Sequence, residues 1–257
     1  MSRLTEKGQG APLELFQTSN DASLATLTGA KFDSSDGREF VLIQNGGVAL
    51  VSGVLVQGPV SIGSTHTGLT CATAAIGATS ITVTLGGTLA TANQYQGGYV
   101  VISAGTGIGQ TLKIKSHPAG TSSGTVALAL EDALSVATSV SDSKASLTLN
   151  PYGAQYGTDY RTSGCVVSPT TATGPSIGVT VYPIPATSTS VLSYGLIQTR
   201  GPVACLNDAN SAIGLDLMPS TNTAGAVMTY VVATRTRVGV ATVAGETTKA
   251  QLINIQL

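Results

Sequence analysis

The apolar residues of this chain recur mostly with period two, in short runs. Residues 79–85 place Ile81, Val83 and Leu85 on one side and Ser80, Thr82 and Thr84 on the other, which predicts a half-buried strand. Residues 125–130 and 145–150 alternate in the same way, the second stopping at Pro151. Within 110–115, Leu112 and Ile114 are predicted to face inward while Lys113 and Lys115 meet water. Residues 99–103 form the preceding strand, and Gly105, Gly107 and Gly109 turn the chain between the two. Residues 64–150 thereby read as a compact all-β module of about four or five strands.

Apolar runs at 40–44, 48–51, 54–56, 166–167, 178–182, 194–199, 203–206, 226–232, 238–241 and 250–257 are further strand candidates. Asn45-Gly46 reads as a hairpin turn between the first two. Pro183 and Pro185 break any helix and point to an edge or a loop. The last run reaches Leu257, so the C-terminal end is expected to be tied into a sheet. No fixed-period repeat is visible, which disfavours solenoids and propellers.

Composition strengthens the all-β reading. Gly, Ala, Ser and Thr make up almost half of the 257 residues, and Trp is absent. Thr and Val favour extended backbone, where branching at Cβ costs little. Charged residues are only 10% of the chain, against roughly 25% in ordinary globular domains. They are also unevenly placed. Arg3, Glu6, Lys7, Glu14, Asp21, Lys31, Asp33, Asp36, Arg38 and Glu39 all precede Phe40, whereas 40–112 and 162–199 hold none. Residues 1–37 are therefore read as an extended N-terminal arm with one short helical turn near 21–27. Uncharged strands leave sheet edges poorly protected, so packing against other copies or a lattice is expected.

The same numbers exclude several function classes. Twelve Lys and Arg against 13 Asp and Glu leave no basic surplus for nucleic acid. A chain that is 42% hydrophobic with a net charge of -1 is not a solvated disordered polymer. Charged e and g positions for a coiled coil are lacking. The most apolar stretch, 40–56, is interrupted by Gln44, Asn45, Gly46, Gly47 and Ser52, so no membrane helix is expected. The N-terminal residues 1–8 hold no apolar signal region. Cys71, Cys165 and Cys205 are odd in number and form no CxxC pair. Buried reduced thiols are expected, with a Cys165–Cys205 disulfide as the alternative. Folding in a reducing cytoplasm follows.

Each chemical constellation has a bland competitor. Gly105-Thr106-Gly107-Ile108-Gly109 lacks the GxGxxG spacing and precedes a strand rather than a helix, so it reads as a hairpin, not a nucleotide loop. His66 and His117 are the only histidines, without patterned ligands around them. His117-Pro118 is expected to be an exposed turn. Asp33 with Asp36, and Asn207, Asp208, Asn210 with Asp216, could offer oxygen to calcium. Neither group matches an EF-hand loop, and turn chemistry explains both. Glu131-Asp132 is an adjacent acid pair whose side chains point to opposite strand faces, unlike a glycosidase pair. Tyr152, Tyr156 and Tyr160 recur every fourth residue among glycines. They read as a junction between modules, or as a sugar-stacking or interface patch. No GxSxG elbow is present. No catalytic, cofactor-binding or metal-binding residue is assigned, and no cofactor, membrane or small-molecule substrate is expected.

The runs 97–102, 107–110 and 113–118 resemble head decoration, or capsid cement, proteins of tailed bacteriophages. So do 196–204, the segment from Pro219-Ser220 to 224–227, and 238–241. The likeness covers roughly residues 38–257 and rests on glycine, proline and apolar patterning. It implies a non-enzymatic virion structural protein, assembled in the host cytoplasm, that binds the major capsid protein on the outer shell as a homotrimer. Its implied layout is two small β-barrel or sandwich modules, one inserted in the other. Residues 38–63 and 151–257 would form the capsid-facing barrel, 64–150 the inserted module, and 1–37 the arm. A fibre or receptor-binding module of the same virion is the alternative, disfavoured by the 4% aromatic content.

Overall fold

The computed structural model describes residues 4–6, 18–60, 63–153, 164–188, 191–231 and 235–257. It is nearly all β and divides into two compact units, one ending at Val60 and resuming at Pro151, the other spanning Ser61–Asn150.

The first unit begins with β1 (Leu4–Glu6), a 3-10 turn (Ala22–Leu27), β2 (Lys31–Ser34), β3 (Glu39–Gln44) and β4 (Leu55–Gln57). Asp21 caps the 3-10 turn, its carboxylate accepting the Ser23 N–H at 2.9 Å. The expected helical turn is thus present, but the arm does not extend to residue 37. Strand β2 pairs with both β1 and β3, and Phe32 is buried opposite Phe40 with Leu24 and Ala25. Charge density misled here, because Lys31 and Asp33 sit on the solvent side of a strand whose other face, Phe32 and Ser34, is buried.

The second unit is a closed six-strand barrel. Its strands are β5 (Leu69–Cys71), β6 (Ser80–Thr84), β7 (Tyr99–Ala104), β8 (Thr111–Ser116), β9 (Thr125–Leu130) and β10 (Lys144–Thr148). They close in the order β10-β5-β6-β9-β8-β7. Alternation makes each strand one-sided, and closure puts every apolar side inward while removing free edges. Ile81, Val83, Ile102, Ile114, Leu128 and Ala145 fill the interior. Leu112 and Ile114 are buried and Lys115 is exposed, as the pattern predicted. The sixth strand is β5, too short at three residues to show alternation.

The chain returns to the first unit with β11 (Val166–Val167), β12 (Ser176–Thr180), β13 (Tyr194–Leu206), β14 (Asp216–Pro219), β15 (Val227–Thr229), β16 (Gly239–Ala241) and β17 (Ala250–Gln256). Together they make a curled half-barrel sheet, in the order β1-β2-β3-β13-β17-β16-β14-β15. Strands β4, β11 and β12 join it through β13. The two runs expected at 194–199 and 203–206 form one strand of 13 residues. Its first half is buried on both faces, with β3 on one edge and β12 on the other. Its second half alternates and pairs with β17. Register shifts between Gln198 and Arg200, where the Gln198 side-chain amide donates to the Arg200 and Pro202 carbonyls, each at 2.9 Å. That bonding carries the strand across Gly201-Pro202.

The hairpin expected at Asn45-Gly46 does not form. Asn45 is buried, and its amide donates to the carbonyls of Val48 at 2.9 Å and Pro185 at 2.7 Å. Residues 48–51 make no strand beyond an isolated bridge of Leu50 to Ile184. A side chain able to satisfy distant carbonyls serves here as an interior strut rather than a turn residue.

Candidate functional site

The barrel ends show how the polar residues of the second unit are used. At one end, the loop 91–98 is closed by both histidines. His66, on a 3-10 turn (Gly63–His66), sets Nε2 2.9 Å from the Thr88 carbonyl, and its Nδ1 meets the Tyr95 hydroxyl. His117 Nε2 accepts the Tyr95 N–H at 2.9 Å, and Nδ1–H donates to the Pro118 carbonyl at 2.8 Å. His117 is therefore buried, not an exposed turn. An acceptor Nε2 and a donor Nδ1 define the neutral ring. Burial pushes the His117 pKa down and the Tyr95 pKa up.

This geometry has a pH consequence. The folded barrel favours neutral His117, whereas the unfolded ring titrates near 6.5. Below that value the unfolded state binds the proton first, so stability is full above pH 6.5 and falls on acidification, by up to about 1.4 kcal/mol per pH unit for one proton. Urea unfolding of the barrel from pH 7.5 to 5 should show this slope, and His117→Gln should flatten it. An equal slope in the variant would assign the titration elsewhere.

At the other end, three loops are bonded together. Residues 74–78 run beside 134–138: Gly77 N–H donates to the Leu134 carbonyl at 2.8 Å, Leu134 N–H to Ala78 at 2.9 Å, and Ala74 bridges Thr138. Gln110 ties this pair to the β7–β8 turn. Its amide nitrogen donates to Gly107 and Val136 carbonyls at 3.1 and 2.9 Å, and its oxygen accepts from Ser135 and Val136 N–H at 2.9 and 3.0 Å. Asp142 accepts both the N–H and the hydroxyl of Thr106, at 3.0 and 2.8 Å. On this tip Ile76, Ile108, Val136 and Val140 stand in water at 69%, 65%, 46% and 60% exposure. The sequence pattern did not single them out. Their only signal is an aliphatic residue in a turn, outside any alternation.

The remaining candidates disperse. The glycine-rich 105–109 segment is the β7–β8 turn. Asp36 is paired with Arg38 at 2.7 Å, Asp216 with Arg237 at 3.1 Å and Glu131 with Lys113 at 3.2 Å. Asp208 accepts from Ser220 at 2.6 Å, from Thr223, and from Asn222 at 3.0 Å; the Ser220 and Thr223 hydroxyls hold its pKa low. Asn210 accepts from Thr247. Asp208, Asn210 and Asp216 thus serve separate local bonds, and the buried Asn207 Oδ1 accepts none. Among the described residues, no three His, Cys, Asp or Glu side chains gather as a metal site. No helix among them is long and apolar enough to cross a membrane. Cys71, Cys165 and Cys205 are free and buried, so Cys165 and Cys205 do not pair. Burial raises all three thiols, Cys205 to about 12. Tyr152 packs on the core of Val41, Ile43 and Cys165, while Tyr156 and Tyr160 lie outside the described residues.

The described residues define an all-β protein of two separately cored units, with exposed aliphatic residues on cross-bonded loops at one end of the closed barrel. No family model, curated protein or solved structure matches the chain.

Proposed function

We propose that this chain is a virion structural protein that binds the outer face of a capsid shell and stabilises it. One observation carries the reading: Ile76, Ile108, Val136 and Val140 are held in water on bonded loops, while the carboxylates of Asp36, Glu131, Asp208 and Asp216 serve local pairs and caps. The likeness to decoration proteins noted in residues 38–257 supports the same assignment. The action is mechanical. Copies, trimeric in this reading, bridge neighbouring coat subunits and bury apolar surface that only the assembled shell presents. Binding to one state alone shifts the equilibrium toward it by mass action, which raises the resistance of the shell to heat and osmotic shock.

The test is localisation. Purified virions of the virus encoding the chain are decorated with an antibody to it and imaged. Uniform labelling over the head is expected. Labelling confined to tail or fibre would transfer the protein to the receptor-binding class, and absence from virions would end the proposal.

A further inference from the structure

We infer that the tip of the closed barrel is a docking face for an uncharged apolar patch rimmed by basic residues and displayed repeatedly, which, on the capsid reading, is the coat lattice. Three properties of the tip lead to this occupant.

The first is preorganisation. Ile76, Ile108, Val136 and Val140 sit on three loops cross-bonded by Gln110, Asp142 and the 74–78 to 134–138 pairing. Binding through them orders little further chain, so more of the apolar gain remains as affinity.

The second is charge. Asp132 and Asp142 lie in the same loop region, and among the described residues neither makes an ion pair. Asp132 is exposed, and Asp142 uses its carboxylate on Thr106. Glu131 is matched by Lys113, whereas the Lys144 ammonium, which donates to the neutral Thr70 hydroxyl at 3.0 Å, keeps its charge, so with Asp132 and Asp142 the margin is negative by one charge. A neutral centre with a negative margin is complementary to a neutral centre with a positive one. Two copies meeting tip to tip would oppose their carboxylates.

The third is area. Four aliphatic side chains at these exposures present on the order of 400 Å², the size of a functional patch. Two such tips would bury about 800 Å² of apolar side-chain surface together, enough only for the core of a small pairwise interface. The like-charged margins, rather than the area, disfavour a second copy as the stable occupant. A contact of this size holds when many are made at once, because linkage converts each later contact into an intramolecular one.

This inference rests on the capsid reading, and its test separates the two. Full-length chain is co-sedimented with purified shells of the encoding virus that lack it. The variants are I76S/I108S and D132K, with V48S/V51S, an equally exposed pair in the first unit, as control. Circular dichroism melts establish that each is folded. I76S/I108S is expected to bind at least about tenfold more weakly, D132K several-fold more weakly, and the control like the unaltered chain. If the unaltered chain binds while I76S/I108S binds equally well, or the control weakens as much, the tip is not the docking face and the capsid reading stands. Tighter binding by D132K overturns the basic rim. If the unaltered chain does not bind, the capsid reading fails and this inference with it.

Discussion

Phe32→Ala is expected to destabilise the first unit by about 3–5 kcal/mol, the cost of removing a buried aromatic ring and leaving a cavity. Phe32 is 0% exposed and packs in one cluster with Leu24, Phe40, Leu42, Tyr194 and Leu196. Against a typical total of about 5–15 kcal/mol, the loss is a large share of stability. Leu27→Ala is the internal control. It lies on the adjacent 3-10 turn at 37% exposure, and should change stability by about 0.5 kcal/mol or less. Denaturant melts followed by circular dichroism measure both. A Phe32→Ala effect as small as that of Leu27→Ala would return this stretch to a detached arm.

Gly105→Ala is expected to cost more than Gly109→Ala, at least about 3 kcal/mol against about 1–2 kcal/mol. Both glycines have positive φ, +74° and +92°, so both substitutions strain the backbone. Only at Gly105 does the new Cβ collide with fixed atoms, 2.2 Å from the Asp142 carbonyl oxygen and 2.4 Å from its carbon. Nothing lies within 4 Å of a Cβ at Gly109. The collision falls beside the Thr106–Asp142 bonds that hold the tip loops. Thermal melts of the two variants separate steric conflict from backbone strain, and equal losses would mean that the loop simply moves aside.

The barrel was the most legible part. Its strands at 80–84, 111–116, 125–130 and 144–148 follow the alternation within a residue or two, because each has one core face and one wet face. Legibility failed where that asymmetry fails. The first half of β13 is buried on both sides, and its union with the second half depends on the Gln198 amide reaching over a bulge. Strand β14 (Asp216–Pro219) is four residues with a proline, too short to show alternation, and is held between β15 and β16. Asn45 obeys local turn statistics in sequence and ignores them in the fold, because the 184–185 carbonyls are within its reach. His117 departs from its expected exposure for the same reason. His117-Pro118 looks like a turn until Tyr95, 22 residues earlier, lies over it.

The class was legible in the order of residues: period-two alternation, β-branched residues and few charges permit sheets and little else. That order also determined which faces of the barrel strands are buried and that 105–109 is a turn. Tertiary structure alone decided that six of the strands close on themselves, that Phe32 belongs to a core, that the cysteines stay apart and that four aliphatic residues gather on one tip. The division has a physical cause. Side-chain periodicity is local and survives in the order of residues, whereas closure, burial of a polar group and convergence of loops depend on which distant segment supplies the missing partner.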